Sequence, residues 1–187
     1  MNKFLVFSLT ILLNNCSTTS DVKTTNTNQI KLKNLMTQKS IPLKINRPTI
    51  IEFWASWCEG CSEAMDTIQN KVIKKSKRVH FYPISIDEEL DPAVTYYNEK
   101  VKDKIKNLKG LYWDEDQVMT SQYQLDSLPK TILLDKKGKV IWEHVGGLKD
   151  SDIKKLQRLA HRPKAKKKKR GKKTNKKKNE AASKPVE

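Results

Sequence analysis

The 187-residue chain has few cysteines and no apolar stretch long enough to cross a membrane. Its N-terminal apolar run, residues 4–13, has ten residues, whereas a membrane-spanning helix needs about 20. Its three histidines stand singly, and only one Cys-x-x-Cys motif occurs, so the roughly four ligands of a structural zinc site are missing. The sequence therefore argues against a spanning helix at residues 4–13 and against a zinc-stabilised fold, and it predicts no metal or other cofactor.

Acidic residues are fewer than basic ones, 21 against 38, and most of the excess positive charge lies at one end of the chain. The formal net charge is +17, and residues 162–178 carry ten lysines, two arginines and no acid. Such a segment cannot bury a core, which predicts a disordered Lys-rich tail over residues 162–187. Anionic lipids, cell-envelope polymers and nucleic acid would all attract it, and a role in solubility alone also fits.

The N-terminus has the pattern of a secretory signal. A charged start precedes the apolar run, which ends in the letters LLNNC and resembles a lipoprotein cleavage box. This predicts removal of residues 1–15, lipidation of Cys16, and a polar, flexible tether over residues 16–29. Because Asn15 is larger than the residue usual before such a cysteine, the alternative is an ordinary exported protein, or an uncleaved one, in which the third cysteine has no role. Either interpretation predicts a periplasmic or other extracytoplasmic location, and lipidation would attach the protein to a membrane.

The sequence FWASWCEGC at residues 53–61 is the centre of the chain. The apolar residues before it predict a buried strand, and the helical spacing after it predicts a helix. Unpaired N–H groups and the positive end of the dipole at a helix start favour a thiolate. We therefore expect Cys58 to be the reactive sulfur and Cys61 the shielded partner. A purely structural disulfide is less favoured, because it would close almost no loop.

Glu52 lies inside the same apolar strand, six positions before Cys58. A buried carboxylate is costly, so its presence indicates a purpose. The alternative is a surface carboxylate on an edge strand.

The motif resembles the active-site signature of the thioredoxin superfamily, in particular the membrane-anchored TlpA/ResA-like thiol-disulfide oxidoreductases. The segments FYPISID, SLPKTILLD, KGKVI and GG, which begin at residues 81, 127, 137 and 146, follow that family's order and spacing. The resemblance implies an α/β, thioredoxin-like, three-layer fold over residues 30–161, with a central mixed sheet flanked by helices. Gly60 and Asp66 depart from the family, which often has proline at both positions.

The resemblance also implies roles for individual residues. Glu52 would be the general base for Cys61, with a pKa raised by desolvation. Pro129 would be cis and face the cysteine pair, so that the Leu128 backbone pairs with an extended substrate. A trans proline in an ordinary turn is the alternative. The flat ring of Trp57 would shield the sulfur and contact a substrate peptide.

The implied function is reduction of protein disulfides in the cell envelope, with apocytochrome c maturation as one candidate process. An upstream membrane or soluble thiol donor would then restore the dithiol. Glu59 opposes the helix dipole at Cys58 and so favours a reductase. The alternatives are a disulfide oxidase or isomerase, and an envelope-binding lipoprotein whose basic tail binds anionic polymers or lipids.

Around the motif, periodicity predicts the remaining elements. A short N-terminal element contains Leu32, Leu35 and Met36. A strand follows over residues 79–86 and an amphipathic helix over 92–108, then an extended piece at 111–114 and a small helix at 118–123. A hairpin pairs residues 132–134 with 140–144, and the last helix covers 148–160.

Overall fold

The computed structural model describes residues 30–161, except residues 77, 106, 107 and 109. The predicted signal segment, the tether with Cys16 and the basic tail lie outside the described residues. Within the described part, seven strands and four α-helices follow one another in the order β1 Lys31–Asn34, β2 Ser40–Pro42, β3 Thr49–Trp54, α1 Cys61–Lys71, β4 His80–Ser85, α2 Leu90–Tyr96, β5 Tyr112–Trp113, α3 Val118–Gln122, β6 Lys130–Leu134, β7 Val140–Val145 and α4 Asp150–Ala160.

The described strands form one mixed sheet in the order β2-β1-β5-β4-β3-β6-β7. Strand β3 pairs in parallel with β4 and antiparallel with β6, and β4 pairs in parallel with β5. The pairs β6 with β7, β1 with β5 and β1 with β2 are antiparallel. All six residues of β3 are buried, as its β-branched and aromatic composition predicts. Because β3 is central, the edge-strand alternative for Glu52 is wrong.

Side chains of β3 alternate between two apolar clusters, one on each face of the sheet. Ile50 and Trp54 belong to the cluster that contains both cysteines and the buried faces of α1, α2 and α4. Ile51 and Phe53 belong to the other cluster, with Met119 of α3 and the N-terminal residues Ile30, Leu32, Leu43 and Ile45. The sheet is therefore the middle of three layers, which confirms the predicted fold class.

Most predicted elements are confirmed: the buried strands β3 and β4, the short strand β5 with α3 after it, the β6–β7 hairpin and the closing helix α4. The helix predicted over 92–108 is wrong in length. Helix α2 ends at Tyr96 and passes into a π-helical turn, Tyr97–Val101, closed by a bond from the Lys102 N–H to the Tyr97 carbonyl. Ile105 stays buried outside any helix, so its apolar spacing reflects core packing alone.

Two other differences concern α1 and the N-terminus. Helix α1 ends at Lys71 and is followed by a 3₁₀ turn, Ile73–Lys75. It is continuous through Asp66, which accepts a hydrogen bond from the Asn70 side chain. The N-terminal element is strand β1, which pairs with the unpredicted strand β2 and leaves Met36 half exposed. No helix in the described part of the chain is long and apolar enough to cross a membrane.

Candidate active site

The end of strand β3 delivers the cysteine pair to the edge of the sheet. The Trp54 carbonyl accepts the last parallel-ladder bond, from Ile86, and the chain then turns away from the sheet. A bond from the Cys58 N–H to the Ala55 carbonyl, 3.1 Å, closes this turn. A further bond from the Cys61 N–H to the Cys58 carbonyl, 3.3 Å, leads into α1. Cys58 therefore precedes the helix by one turn, and Cys61 is the first helical residue.

Cys58 and Cys61 are joined by a disulfide bond, with 5.5 Å between their Cα atoms. Cys58 keeps 6% of its surface exposed and Cys61 keeps none. The ring of Trp57, directly before Cys58, is 67% exposed. Of the two sulfur-bearing residues, Cys58 is thus the more accessible, and an exposed aromatic ring lies beside it in sequence.

Glu52 is fully buried in the middle of β3. Strand alternation directs its side chain to the same face as Ile50 and Trp54, whose cluster contains Cys58 and Cys61. Within the described residues, neither of its carboxylate oxygens has a hydrogen-bond partner.

Burial raises the pKa of Glu52 from 4.5 to about 8, because the charged form loses its hydration. Thr131 is the residue opposite Glu52 on β6, and its hydroxyl offsets part of this rise, although no bond of acceptable geometry joins the two groups. The carboxyl group can therefore change its protonation state near neutral pH.

A second buried carboxylate, Asp87, holds the loop between β3 and Cys58. Its Oδ1 accepts bonds from the Ser56 N–H at 2.9 Å and the Ser56 hydroxyl at 2.6 Å. Its Oδ2 accepts from the Ser85 hydroxyl at 2.7 Å, and its carbonyl accepts from the Trp113 indole, also at 2.7 Å. Asp87 thus fixes the start of the turn that carries the cysteines.

The start of α1 is also held from α2. The Tyr96 hydroxyl donates to the Cys58 carbonyl at 2.9 Å and accepts from the Ser62 N–H at 3.2 Å. The Lys104 ammonium group donates to the Ser62 hydroxyl at 3.2 Å. Tyr96 therefore contacts both Cys58 and Ser62, and Lys104 contacts Ser62.

The Leu128–Pro129 peptide bond is cis, as predicted, and the alternative of a trans proline is wrong. Strand β6 begins at Lys130, which pairs with Phe53, so the proline loop lies beside the end of β3. The Pro129 carbonyl accepts a bond from the Gly146 N–H at 2.8 Å. Gly146 has φ +91°, a conformation that favours glycine, so Gly146 anchors this loop.

The fold thus brings five of the predicted site residues to one edge of the sheet, with Glu52 two residues before the end of β3. The five are Trp57, Cys58, Cys61, Leu128 and Pro129. Cys16 lies outside the described residues. Among residues 30–161 as described, no group of three or more His, Cys, Asp or Glu side chains is arranged to hold a metal ion.

Sequence reasoning missed Ser56, Asp87 and Tyr96. Asp87 had a usable signal, because it lies just past the carboxyl end of β4 and parallel strands present those ends at a common edge. Tyr96 had no such signal, because it is not one of the regularly spaced apolar residues, such as Val94, Tyr97 and Val101, that predicted the helix.

A family model described as a thioredoxin-like domain matches residues 36–161. Among curated relatives, the thiol-disulfide oxidoreductase YkuV of Bacillus subtilis is 24% identical over 122 residues, which cover 62% of this chain and 76% of YkuV. The thiol-disulfide oxidoreductase ResA of Bacillus thuringiensis is 30% identical over 115 residues, which cover 58% of this chain and 61% of ResA. The chain therefore spans less than two thirds of ResA.

Solved structures share the fold. A thiol-disulfide oxidoreductase from Bacteroides fragilis is 26% identical with a TM-score of 0.57, and the match covers 72% of this chain and 99% of that one. The exposed lipoprotein thioredoxin of Streptococcus pneumoniae is 21% identical with a TM-score of 0.55, covering 70% of this chain and 98% of that one. With its disulfide-forming Cys58–Cys61 pair, the chain belongs to the thioredoxin-like family and is a thiol-disulfide oxidoreductase.

Proposed function

We propose that the protein reduces disulfide bonds of exported proteins from a position attached to a membrane by lipidated Cys16. The single observation that carries the reductase proposal is the disulfide-forming pair of Cys58, which keeps 6% of its surface exposed, and the fully buried Cys61. Both lie in the apolar cluster on the sheet face to which Glu52 points, and burial raises the pKa of that carboxyl group to about 8. This arrangement supports a cycle in which one sulfur meets the substrate and the other completes the reaction.

The first step begins from the dithiol form. The Cys58 thiolate attacks one sulfur of a substrate disulfide, the substrate S–S bond breaks, and a mixed disulfide forms on Cys58. The departing substrate sulfur leaves as a thiolate and takes a proton. The N–H groups and dipole at the start of α1 favour the attacking thiolate.

In the second step Cys61 resolves the mixed disulfide. Its thiol transfers a proton to Glu52, and the resulting thiolate attacks the Cys58 sulfur. The second substrate sulfur is released, and the Cys58–Cys61 disulfide forms. The substrate has then gained two electrons and two protons. An upstream membrane or soluble thiol donor returns the protein to the dithiol form.

Substrate contacts come from Trp57 and the proline loop. The ring of Trp57 offers an exposed apolar surface beside Cys58. Because the Pro129 carbonyl is bonded to Gly146, the Leu128 backbone is the part of this loop that we assign to an extended substrate segment. Apocytochrome c, which must be reduced before haem attachment, is one candidate substrate.

The proposed location rests on the sequence before residue 30. The LLNNC motif supports lipidation at Cys16, and the polar residues 16–29 would let the domain stand off the membrane. The pneumococcal relative, an exposed lipoprotein, is an example of this fold in such a setting. Metabolic labelling with a fatty acid tests this part separately, because Cys16→Ala should abolish labelling and leave thiol chemistry unchanged.

Insulin reduction tests the chemistry. The wild-type dithiol should reduce insulin, and Cys58→Ser should be inactive. Cys61→Ser should instead accumulate mixed disulfides with its substrates, which can be isolated and identified. Equal activity of Cys58→Ser and wild type would contradict the proposal.

The reduction potential separates a reductase from an oxidase or isomerase. A reductase should equilibrate near the thioredoxin range, at about −270 mV, whereas strongly oxidising members lie near about −120 mV. A value at the oxidising end would reverse the proposed direction of electron flow.

The role of Glu52 has its own test. Glu52→Gln keeps the shape of the side chain but cannot accept the Cys61 proton, so resolution of the mixed disulfide should slow roughly 100-fold. The first attack by Cys58 should change little. Rapid-mixing kinetics separate the two steps, and an unchanged rate of resolution would remove Glu52 from the mechanism.

A further inference from the structure

The hydroxyl group of Tyr96 contacts both sides of the cysteine pair. It donates to the Cys58 carbonyl at 2.9 Å and accepts from the Ser62 N–H at 3.2 Å. A hydroxyl group has one hydrogen and two lone pairs, so one oxygen can make both bonds at once. A single side-chain atom therefore joins the first cysteine to the residue after the second.

The bond to Ser62 replaces a missing helix cap. Ser62 is the second residue of α1, and its N–H is one of the groups at a helix start that lack an acceptor within the helix. The boundary residue, Gly60, has no side chain that could accept this bond, and the Ser62 hydroxyl itself accepts from Lys104. Tyr96 thus supplies, from another helix, the acceptor that a serine or aspartate cap would provide.

The Tyr96 ring is held where this bridge requires it. It stacks on Trp54, with 5.5 Å between ring centroids and 24° between ring planes. Trp54 is fully buried and is the last residue of β3, the strand that delivers Cys58 to the site. The same strand therefore fixes both the cysteine turn and the hydroxyl that contacts it.

We propose that Tyr96 is a positioning residue that sets the reduction potential of the Cys58–Cys61 pair. Free N–H groups and positive potential at a helix start stabilise the Cys58 thiolate, and a stabilised thiolate makes the disulfide form more oxidising. Tyr96 engages one of these N–H groups and places the partial negative charge of its oxygen beside it. It thereby keeps the pair more reducing than the bare helix start would. The proposed function assigns no role to Tyr96, so this inference goes beyond it.

The test compares Tyr96→Phe with Tyr97→Phe in the full-length protein. The control removes the same group from the adjacent ring, for which the described part of the chain shows no bond to the cysteine turn. Each protein is equilibrated with glutathione, where the protein dithiol and one glutathione disulfide give the protein disulfide and two glutathione thiols. Tyr96→Phe should shift the equilibrium constant roughly tenfold toward the protein dithiol, about 30 mV in potential. The Cys58 pKa, followed by thiolate absorbance, should fall. In Tyr97→Phe the equilibrium constant should stay within about twofold of wild type, and the Cys58 pKa should not change.

A folded Tyr96→Phe variant with an unchanged potential and an unchanged Cys58 pKa would overturn the proposal. A lower melting temperature would not rescue it, because a loss of packing that is equal in the oxidised and reduced forms lowers stability and leaves the potential unchanged. A shift toward the protein disulfide would overturn it equally. If the variant does not fold, amide hydrogen exchange in the wild-type protein decides. The Ser62 N–H should be protected at least about tenfold over an exposed amide, and an unprotected Ser62 would refute the bridge.

Discussion

Glu52 and Asp87 are both buried carboxylates near the redox pair, but their surroundings differ. Asp87 is 4% exposed and accepts bonds from the Ser56 N–H and hydroxyl and from the Ser85 hydroxyl. Glu52 has no exposed surface, and none of the described residues donates a hydrogen bond to it. Hydrogen bonds from its neighbours thus stabilise the Asp87 carboxylate. No described residue compensates Glu52 in this way, so burial disfavours its charged form.

The difference follows from position relative to the sheet. Asp87 lies past the end of β4, where the turn after β3 presents a backbone N–H that no ladder uses. Glu52 lies in the middle of a strand that is paired on both sides, where ladder bonds occupy the neighbouring backbone donors. A carboxylate at the strand end can therefore serve structure. A carboxyl group inside the sheet is instead suited to change its protonation state.

The largest expected effect is on the pH dependence of stability. Because the folded pKa of Glu52 is raised from 4.5 to about 8, the unfolded chain loses this proton first as the pH rises. The stabilisation from the protonated form is complete below about pH 4.5 and is lost as the pH rises through about 8. The free energy of unfolding of the oxidised wild type, minus that of Glu52→Gln, should fall by roughly 5 kcal/mol across this range.

Denaturant titrations at several pH values measure this difference, and subtraction of the variant removes the contribution of the other titrating groups. A difference that does not change between pH 4.5 and 9 would mean that Glu52 titrates as an ordinary carboxyl group. The contrast with Asp87 would then fail.

Asp87→Ala should produce the next largest effect, a loss of stability. It removes the acceptor of several charge-assisted bonds and leaves buried donors without a partner, so the oxidised protein should lose about 3 kcal/mol of stability at pH 7. Glu88→Ala is the control, because this neighbouring acid is exposed and should change stability by less than about 0.5 kcal/mol. Equal effects of the two changes would remove the structural role assigned to Asp87.

Thr131→Val should produce the smallest effect, and it tests what sets the pKa of Glu52. The Thr131 hydroxyl partly offsets the effect of burial, so an isosteric side chain without that hydroxyl should raise the Glu52 pKa further. The midpoint of the pH-dependent stability difference should move upward. Thr49→Val, on the same strand as Glu52, is the matched control and should leave the midpoint in place. A downward shift in Thr131→Val would show that Thr131 does not oppose the effect of burial.

Much of the fold could be predicted because its signals are local. The apolar run of β3, the Cys-x-x-Cys turn and the helical spacing after it were sufficient to place Cys58 and Cys61 at a strand-to-helix junction. The helix predicted over 92–108 failed because the apolar spacing of Ile105 reflects core contacts that do not require a helix. Strand β2 was missed because three residues with only partial burial give too little pattern.

The sequence by itself determined the redox chemistry, since thiol exchange needs two cysteines at this spacing and a carboxylate inside an apolar strand is visible as an anomaly. Only the tertiary structure decided the surroundings of those groups. Tyr96 meets Cys58 across 38 positions, Asp87 meets Ser56 across 31, and Thr131 meets Glu52 only through strand pairing. Such contacts depend on which faces of separate elements pack together. The periodicity of one segment predicts which of its faces is buried, but it does not predict which other segment packs against that face.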